Sequence, residues 1–127
     1  MQGFSIQVKD DLVYIGHMHD TALKAWQKID SKTRSDYDAN EDLTLALAHL
    51  VQIIGEAARR VSEETQRKHP DIPWSEIIGM RHKIVHDYMN VDEDVLWEVV
   101  TQDLKPLIAT LNDILSAENL FRGDCQG

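Results

Sequence analysis

The sequence is short of residues that interrupt helices and of residues that cross-link chains. Only 6 glycines and 3 prolines occur among 127 residues, and this scarcity of turn residues favours a few long helices over many short strands. The single cysteine, Cys125, cannot form an intramolecular disulfide. No apolar run approaches the roughly 20 residues that span a bilayer, and the first residues lack the pattern of a secretory signal. We therefore expect a cytoplasmic protein with no membrane segment.

Positive charge is also scarce. The chain carries 13 lysines and arginines against 22 aspartates and glutamates, which gives a formal net charge of −9. A protein whose main task is to coat nucleic acid is usually basic, so the composition disfavours that class. Chemistry on phosphate groups would have to depend on a local cationic patch, which acts against the field of the whole protein.

Four segments with helical periodicity predict an all-α fold, an up-and-down antiparallel bundle of four main helices. Apolar residues recur at spacings of three and four in residues 8–29, 41–69 and 73–90, and again in a segment that begins after an N-cap at Asp92. Pro106 should kink this last helix or begin a new turn. We expect residues 1–117 to form one helical domain and residues 118–127, which have no periodicity, to form a flexible C-terminal tail.

The stretch "GMRHKIVHDYMN", residues 79–90, is the most distinctive part of the chain. Such a cluster of charges can simply be the solvated face of a helix. Alternatively, His82 and His86 lie four residues apart, as ligands on one helical face do. Arg81 and Lys83 would repel a metal ion there, and a third ligand would have to come from Asp87 or from another helix.

A third interpretation of this stretch is chemistry on phosphate groups. Arginine binds two phosphate oxygens at once, and histidine exchanges a proton near neutral pH. RNA cleavage without a metal requires such groups. On an uninterrupted helix, however, Arg81 and His86 differ by about 140°. They would converge only if the helix loosened near its end, or if a two-fold homodimer brought two copies of the segment together.

The spacing of Arg81, His86 and Tyr88 matches the R-x-x-x-x-H-x-Y signature of the HEPN superfamily. The surrounding sequence resembles the HepT family, whose members are HEPN toxins encoded beside a minimal nucleotidyltransferase antitoxin, MntA, in type II toxin–antitoxin systems. The stretches that carry this resemblance are "IIGEAARRV" at 53–61, "HPDIPW" at 69–74, "IIGMRHKIVHDYMNVD" at 77–92 and "LWEVVTQDLKPL" at 96–107.

The resemblance implies a HEPN-like homodimer that acts on RNA as a metal-independent endoribonuclease and needs no cofactor. In that family Arg81 would stabilise the phosphorane and His86 would be the general acid or base, so these two are the expected catalytic residues. His82 would support the site, and Tyr88 would lie at its edge. The resemblance also implies that Tyr88 is the residue to which the MntA-type antitoxin transfers AMP from ATP. The added bulk and negative charge would then block RNA.

One alternative function stays open. The protein could be a non-catalytic helical partner and AMP-acceptor subunit of a nucleotidyltransferase. Both functions use Tyr88, but only the endoribonuclease requires Arg81 and His86 for chemistry.

Other residues of the second predicted helix are less specific signals. Glycine costs about 1 kcal/mol against alanine within a helix, so Gly55 indicates a close approach by another helix. Glu56 could form bonds within the bundle or brace the arginine of the site. Four cationic residues could widen an RNA-binding surface or belong to a solvated helix face: Arg59, Arg60, Arg67 and Lys68.

Overall fold

The chain folds as a bundle of helices. The computed structural model describes the backbone of residues 2–85 and 90–126, and the side chains of residues 10–85 and 90–118. Within these ranges the fold is all-α, as predicted, and one isolated antiparallel bridge joins Val85 to Val91. The elements are α1 (Gln2–Ile29), α2 (Arg34–Asp38), α3 (Glu41–Arg60), α4 (Glu63–Lys68), α5 (Trp74–Ile78), α6 (Met80–Ile84), α7 (Glu93–Glu98), a π-helical turn (Val99–Asp103) and α8 (Leu104–Gln126).

Three long helices supply most of the core. Helix α1 packs against α3 and α8, and α3 also contacts α5 and α6. Ile15, Met18, Leu47, Leu104 and Leu111 are buried where these helices meet, and full burial of such a side chain contributes about 1.5–3 kcal/mol. None of the helices in the described part of the chain is long and apolar enough to cross a membrane.

The prediction of one continuous helix over residues 41–69 is wrong. Val61 has an extended backbone (φ −71°, ψ 135°), and Ser62 then caps α4. The reason is Asp11 on α1, which is only 2% exposed. Its carboxylate accepts hydrogen bonds from Ser62 N at 2.9 Å, from Ser62 Oγ at 2.6 Å and from Thr65 Oγ1 at 2.6 Å. The Ser62 N–H therefore bonds to another helix, and α3 ends before it.

The third predicted helix, over residues 73–90, is also divided. Gly79 separates α5 from α6, and its N–H donates to Ser75 O at 3.0 Å. Helix α6 ends at Ile84, where Val85 turns to an extended backbone (φ −107°, ψ 106°). The N–H of Asp92 donates to Ile84 O at 2.6 Å, so the chain is bonded back to the end of α6. Glycine weakens a helix at Gly79, and the predicted helix is interrupted there and again at Val85.

The fourth segment begins as predicted. The side chain of Asp92 accepts from Val95 N at 3.1 Å and caps α7. Pro106 has no N–H to donate within the following helix, and just before it the chain forms the π-helical turn, after which Leu104 N donates to Val99 O. Helix α8 continues to the end of the described chain. The flexibility of residues 118–127 therefore stays a prediction.

Candidate functional site

The structure describes two of the four predicted site residues. Arg81 and His82 lie on α6, and both side chains are exposed. His86 and Tyr88 lie outside the described residues, so their predicted roles stay predictions. Helix α6 ends at Ile84, three residues after Arg81.

Arg81 and His82 line a cleft of about 250 Å³ between α3 and the α5–α6 segment. One wall consists of residues that recur along α3 at spacings of three and four, and therefore share one helical face. The facing wall contains the glycine between α5 and α6 and the cationic start of the motif. The lining residues are Gln52, Gly55, Glu56, Arg59, Ile78, Gly79, Arg81 and His82.

Gly55 brings the two walls together. A Cβ at this position would lie 2.9 Å from Ile77 O, which is closer than real Cβ atoms approach an oxygen. The predicted reason for this glycine, close contact with another helix, is therefore confirmed. Ile77, Met80 and Ile84 are buried on the inner side of the α5–α6 segment. Their burial fixes the wall that carries the motif.

The carboxylate in the cleft pairs with arginines of its own helix. Glu56 accepts from Arg59 Nη2 at 3.0 Å and 3.2 Å, and its Oε1 lies 3.6 Å from Arg60 Nε. The hydrogen bond from Arg59, with the nearby charges of both arginines, lowers the pKa of Glu56. Among the described residues no ion pair joins Arg81 to a carboxylate. The guanidinium of Arg81 can therefore bind a ligand without losing a salt bridge within that part of the chain.

The cleft can bind an anion and supply a proton donor. Arg59 and Arg81 carry positive charge and His82 contributes an imidazole, against the one carboxylate of Glu56. Guanidinium groups bind the oxygens of phosphates in pairs. No three His, Cys, Asp or Glu side chains within the described ranges are grouped so as to hold a metal. The alternative metal site at His82 also requires His86, which lies outside those ranges, so it stays untested.

Sequence reasoning missed one lining residue of this cleft, Gln52. Its position could have been found, because residues 52, 55, 56 and 59 have the spacing of one helical face. What could not be read from that spacing is that this face lies opposite Arg81, since the contact depends on how α5 packs against α3.

The fold and the cleft together describe an all-α protein with an open cleft lined by two guanidinium groups, one imidazole and one carboxylate. Comparison with known proteins identifies the family of this protein. Residues 19–114 match the family described as "Ribonuclease HepT-like". The chain therefore belongs to the HepT-like ribonuclease family, as the motif and its flanks predicted, and it is an enzyme of the ribonuclease class.

Curated relatives agree with this assignment. "Putative RNase TTE0752" of Caldanaerobacter subterraneus subsp. tengcongensis is 30% identical over 105 residues, which cover 83% of this chain and 94% of that protein. "Probable ribonuclease HepT" of Thermococcus cleftensis is 38% identical over 72 residues, 57% of this chain and 66% of that protein. "Putative RNase MJ1380" of Methanocaldococcus jannaschii is 31% identical over 70 residues, with shares of 55% and 64%. No solved structure matches the chain significantly.

Proposed function

We propose that this ribonuclease is the toxin of a type II toxin–antitoxin system, a cytoplasmic and metal-independent endoribonuclease. The observation that carries the proposal is the exposed guanidinium of Arg81, which has no carboxylate partner among the described residues and shares a cleft with His82. In a chain of the HepT-like ribonuclease family, a phosphodiester of RNA is the anion that fits this cleft.

Two of the motif residues, Arg81 and His86, act directly in the proposed cleavage. A proton leaves the 2′-hydroxyl, its oxygen bonds to the adjacent phosphorus, and the bond from phosphorus to the 5′-oxygen breaks as that oxygen gains a proton. His86 acts in these proton transfers. Arg81 stabilises the charge that develops on the pentacoordinate phosphorus. His82 supports the site, Tyr88 lies at its edge, and the products end in a 2′,3′-cyclic phosphate and a 5′-hydroxyl.

A homodimer completes the proposed site. Two copies of the cleft that face each other would combine two sets of cationic groups and so provide a local positive field in a chain with net charge −9.

Control by an MntA-type nucleotidyltransferase is the other part of the proposal. The hydroxyl of Tyr88 would attack the α-phosphorus of ATP, so that AMP is transferred to the tyrosine and pyrophosphate leaves. The added phosphate would repel RNA from a site built to bind phosphate.

Cleavage of RNA by purified variants tests the chemistry. Arg81→Ala and His86→Ala should each lower the rate about a hundredfold or more, because charge stabilisation and acid–base catalysis each contribute at that scale. Arg67→Ala is the matched control, since Arg67 is an exposed arginine of α4 that pairs with Glu63 outside the cleft. Cleavage and growth arrest that survive in both motif variants would contradict the mechanism, as would inhibition of the wild type by EDTA.

Labelling with ATP tests the control by AMP. Incubated with its cognate nucleotidyltransferase, the wild type should gain the mass of AMP and lose RNA cleavage, whereas Tyr88→Phe should gain nothing. Tyr14→Phe, which changes another tyrosine hydroxyl, should be labelled like the wild type. Label on Tyr88→Phe would contradict the acceptor assignment. A wild type that accepts AMP but never cleaves RNA would support the non-catalytic AMP-acceptor function instead.

A further inference from the structure

The cleft contains a second guanidinium, that of Arg59, on the wall opposite Arg81. The lining residues of α3 extend from Gln52 to Arg59, and seven residues of helix correspond to about 10 Å along the axis. The α3 wall is thus longer than a single phosphate group. An RNA chain that places one phosphate at Arg81 has room for part of a neighbouring nucleotide along α3.

The pairing of Arg59 with Glu56 leaves most of its donors available. Both hydrogen bonds to Glu56 come from one nitrogen, Nη2, at 3.0 Å and 3.2 Å. A guanidinium has five N–H donors in a fixed plane, and among the described residues no hydrogen bond uses Nε or Nη1 of Arg59. Its side chain is also 66% exposed. Glu56 can therefore orient Arg59 while the other edge of the guanidinium binds a phosphate.

We propose that Arg59 is a substrate-positioning residue, which binds a phosphate of the RNA next to the phosphate at Arg81. Glu56 holds the Arg59 guanidinium in the orientation that this contact needs. Two such contacts require a linkage that is flanked by another phosphate, as an internal linkage of an RNA chain is. This inference rests on the proposed ribonuclease function and adds a subsite to it.

Salt-dependent binding tests the contact directly. The probe is a fluorescent single-stranded oligoribonucleotide that is fully 2′-O-methylated, so that it has no nucleophile and is not cleaved. Each phosphate contact adds about 0.7 to the slope of log K against log salt concentration for single strands. Arg59→Ala should weaken binding about fivefold and lower the magnitude of that slope by about 0.7, whereas Arg59→Lys, which keeps the charge, should keep the slope.

Arg67→Ala is the matched control for this experiment. Arg67 is also an exposed arginine with a glutamate partner on its own helix, Glu63 at 4.0 Å, but it does not line the cleft. Its removal should leave both the affinity and the slope unchanged. Cleavage kinetics give a second readout, since Arg59→Ala should raise KM and keep kcat within about twofold, whereas Arg81→Ala should lower kcat.

The outcomes separate this inference from the proposed function. If the wild type cleaves RNA and Arg59→Ala binds the probe as Arg67→Ala does, Arg59 is not a phosphate ligand and the ribonuclease function stands. Weaker binding by Arg59→Ala with an unchanged slope would show a structural role and also overturn the inference. A wild type that neither binds nor cleaves RNA would overturn the ribonuclease function, and the subsite with it.

Discussion

Two regions of the molecule gather polar groups around a carboxylate, and they are built in opposite ways. Asp11 is 2% exposed and accepts three hydrogen bonds from Ser62 and Thr65. Glu56 is half exposed, and its partner Arg59 uses only one of its nitrogens in the pair. At Asp11 the bonding capacity is used inside the protein, and at the cleft it remains open to solvent.

This difference separates what holds the fold from what can bind a ligand. A buried carboxylate with internal donors stabilises its surroundings, because its removal leaves those donors without an acceptor away from water. An exposed ion pair contributes little to stability, since water can replace either partner. Arg59 and Arg81 can therefore exchange solvent for phosphate at small cost to the fold.

Replacement of Asp11 should have the largest effect on stability. Asp11→Ala leaves the N–H and hydroxyl of Ser62 and the hydroxyl of Thr65 without their acceptor, and we expect a loss of about 3 kcal/mol in the free energy of unfolding. Urea denaturation followed by circular dichroism measures this loss. Asp10→Ala, which changes the exposed neighbour on α1, should stay within about 0.5 kcal/mol of the wild type.

Glu56, the carboxylate in the cleft, supplies a further control for Asp11. Glu56→Gln removes a carboxylate from an exposed pair and should change stability much less than Asp11→Ala. Equal losses in Asp11→Ala and Asp10→Ala would show that the buried carboxylate does not hold α4 to α1. A large loss in Glu56→Gln would show that the contrast between the two regions is wrong.

The same two regions show how far sequence reasoning reaches. The periodicity of apolar residues predicted the helices, and the preference of aspartate for the first position of a helix predicted the cap at Asp92. Both signals are local in the sequence. The break at Val61 and Ser62 could not be predicted, since it depends on Asp11, which lies some fifty positions earlier in the chain. Composition does not show which of 22 acidic residues is buried.

At the candidate site, the motif could be recognised from neighbouring residues in the sequence. The cleft could not, because it depends on contacts between separate helices. The sequence predicted that Arg81 and His82 belong to the site, and the structure places both on one wall of a cleft. The opposite wall, including Gln52 and Arg59, follows from the packing of α5 on α3. A hint of that packing was present in Gly55, but a glycine indicates close contact without identifying the partner.

Gly55→Ala should have a smaller effect on stability than Asp11→Ala, but it should affect both the packing of the helices and the cleft. The new Cβ would lie 2.9 Å from Ile77 O, so α5 must shift, at a cost of about 1–3 kcal/mol, which the better helix propensity of alanine offsets by about 1 kcal/mol. Gly16→Ala is the control, because nothing lies within 4 Å of its added Cβ. That variant should gain about 0.5–1 kcal/mol in urea denaturation.

The cleavage assay then links this glycine to the cleft. Because the α5–α6 segment carries Arg81, a shift of α5 should move the guanidinium relative to α3 and slow RNA cleavage by folded Gly55→Ala, whereas Gly16→Ala should cleave at the wild-type rate. If Gly55→Ala is stabilised like Gly16→Ala and cleaves normally, the close contact at Ile77 does not set the geometry of the cleft. A loss of cleavage without a loss of stability would mean that the segment moves easily and that its position matters to the chemistry alone.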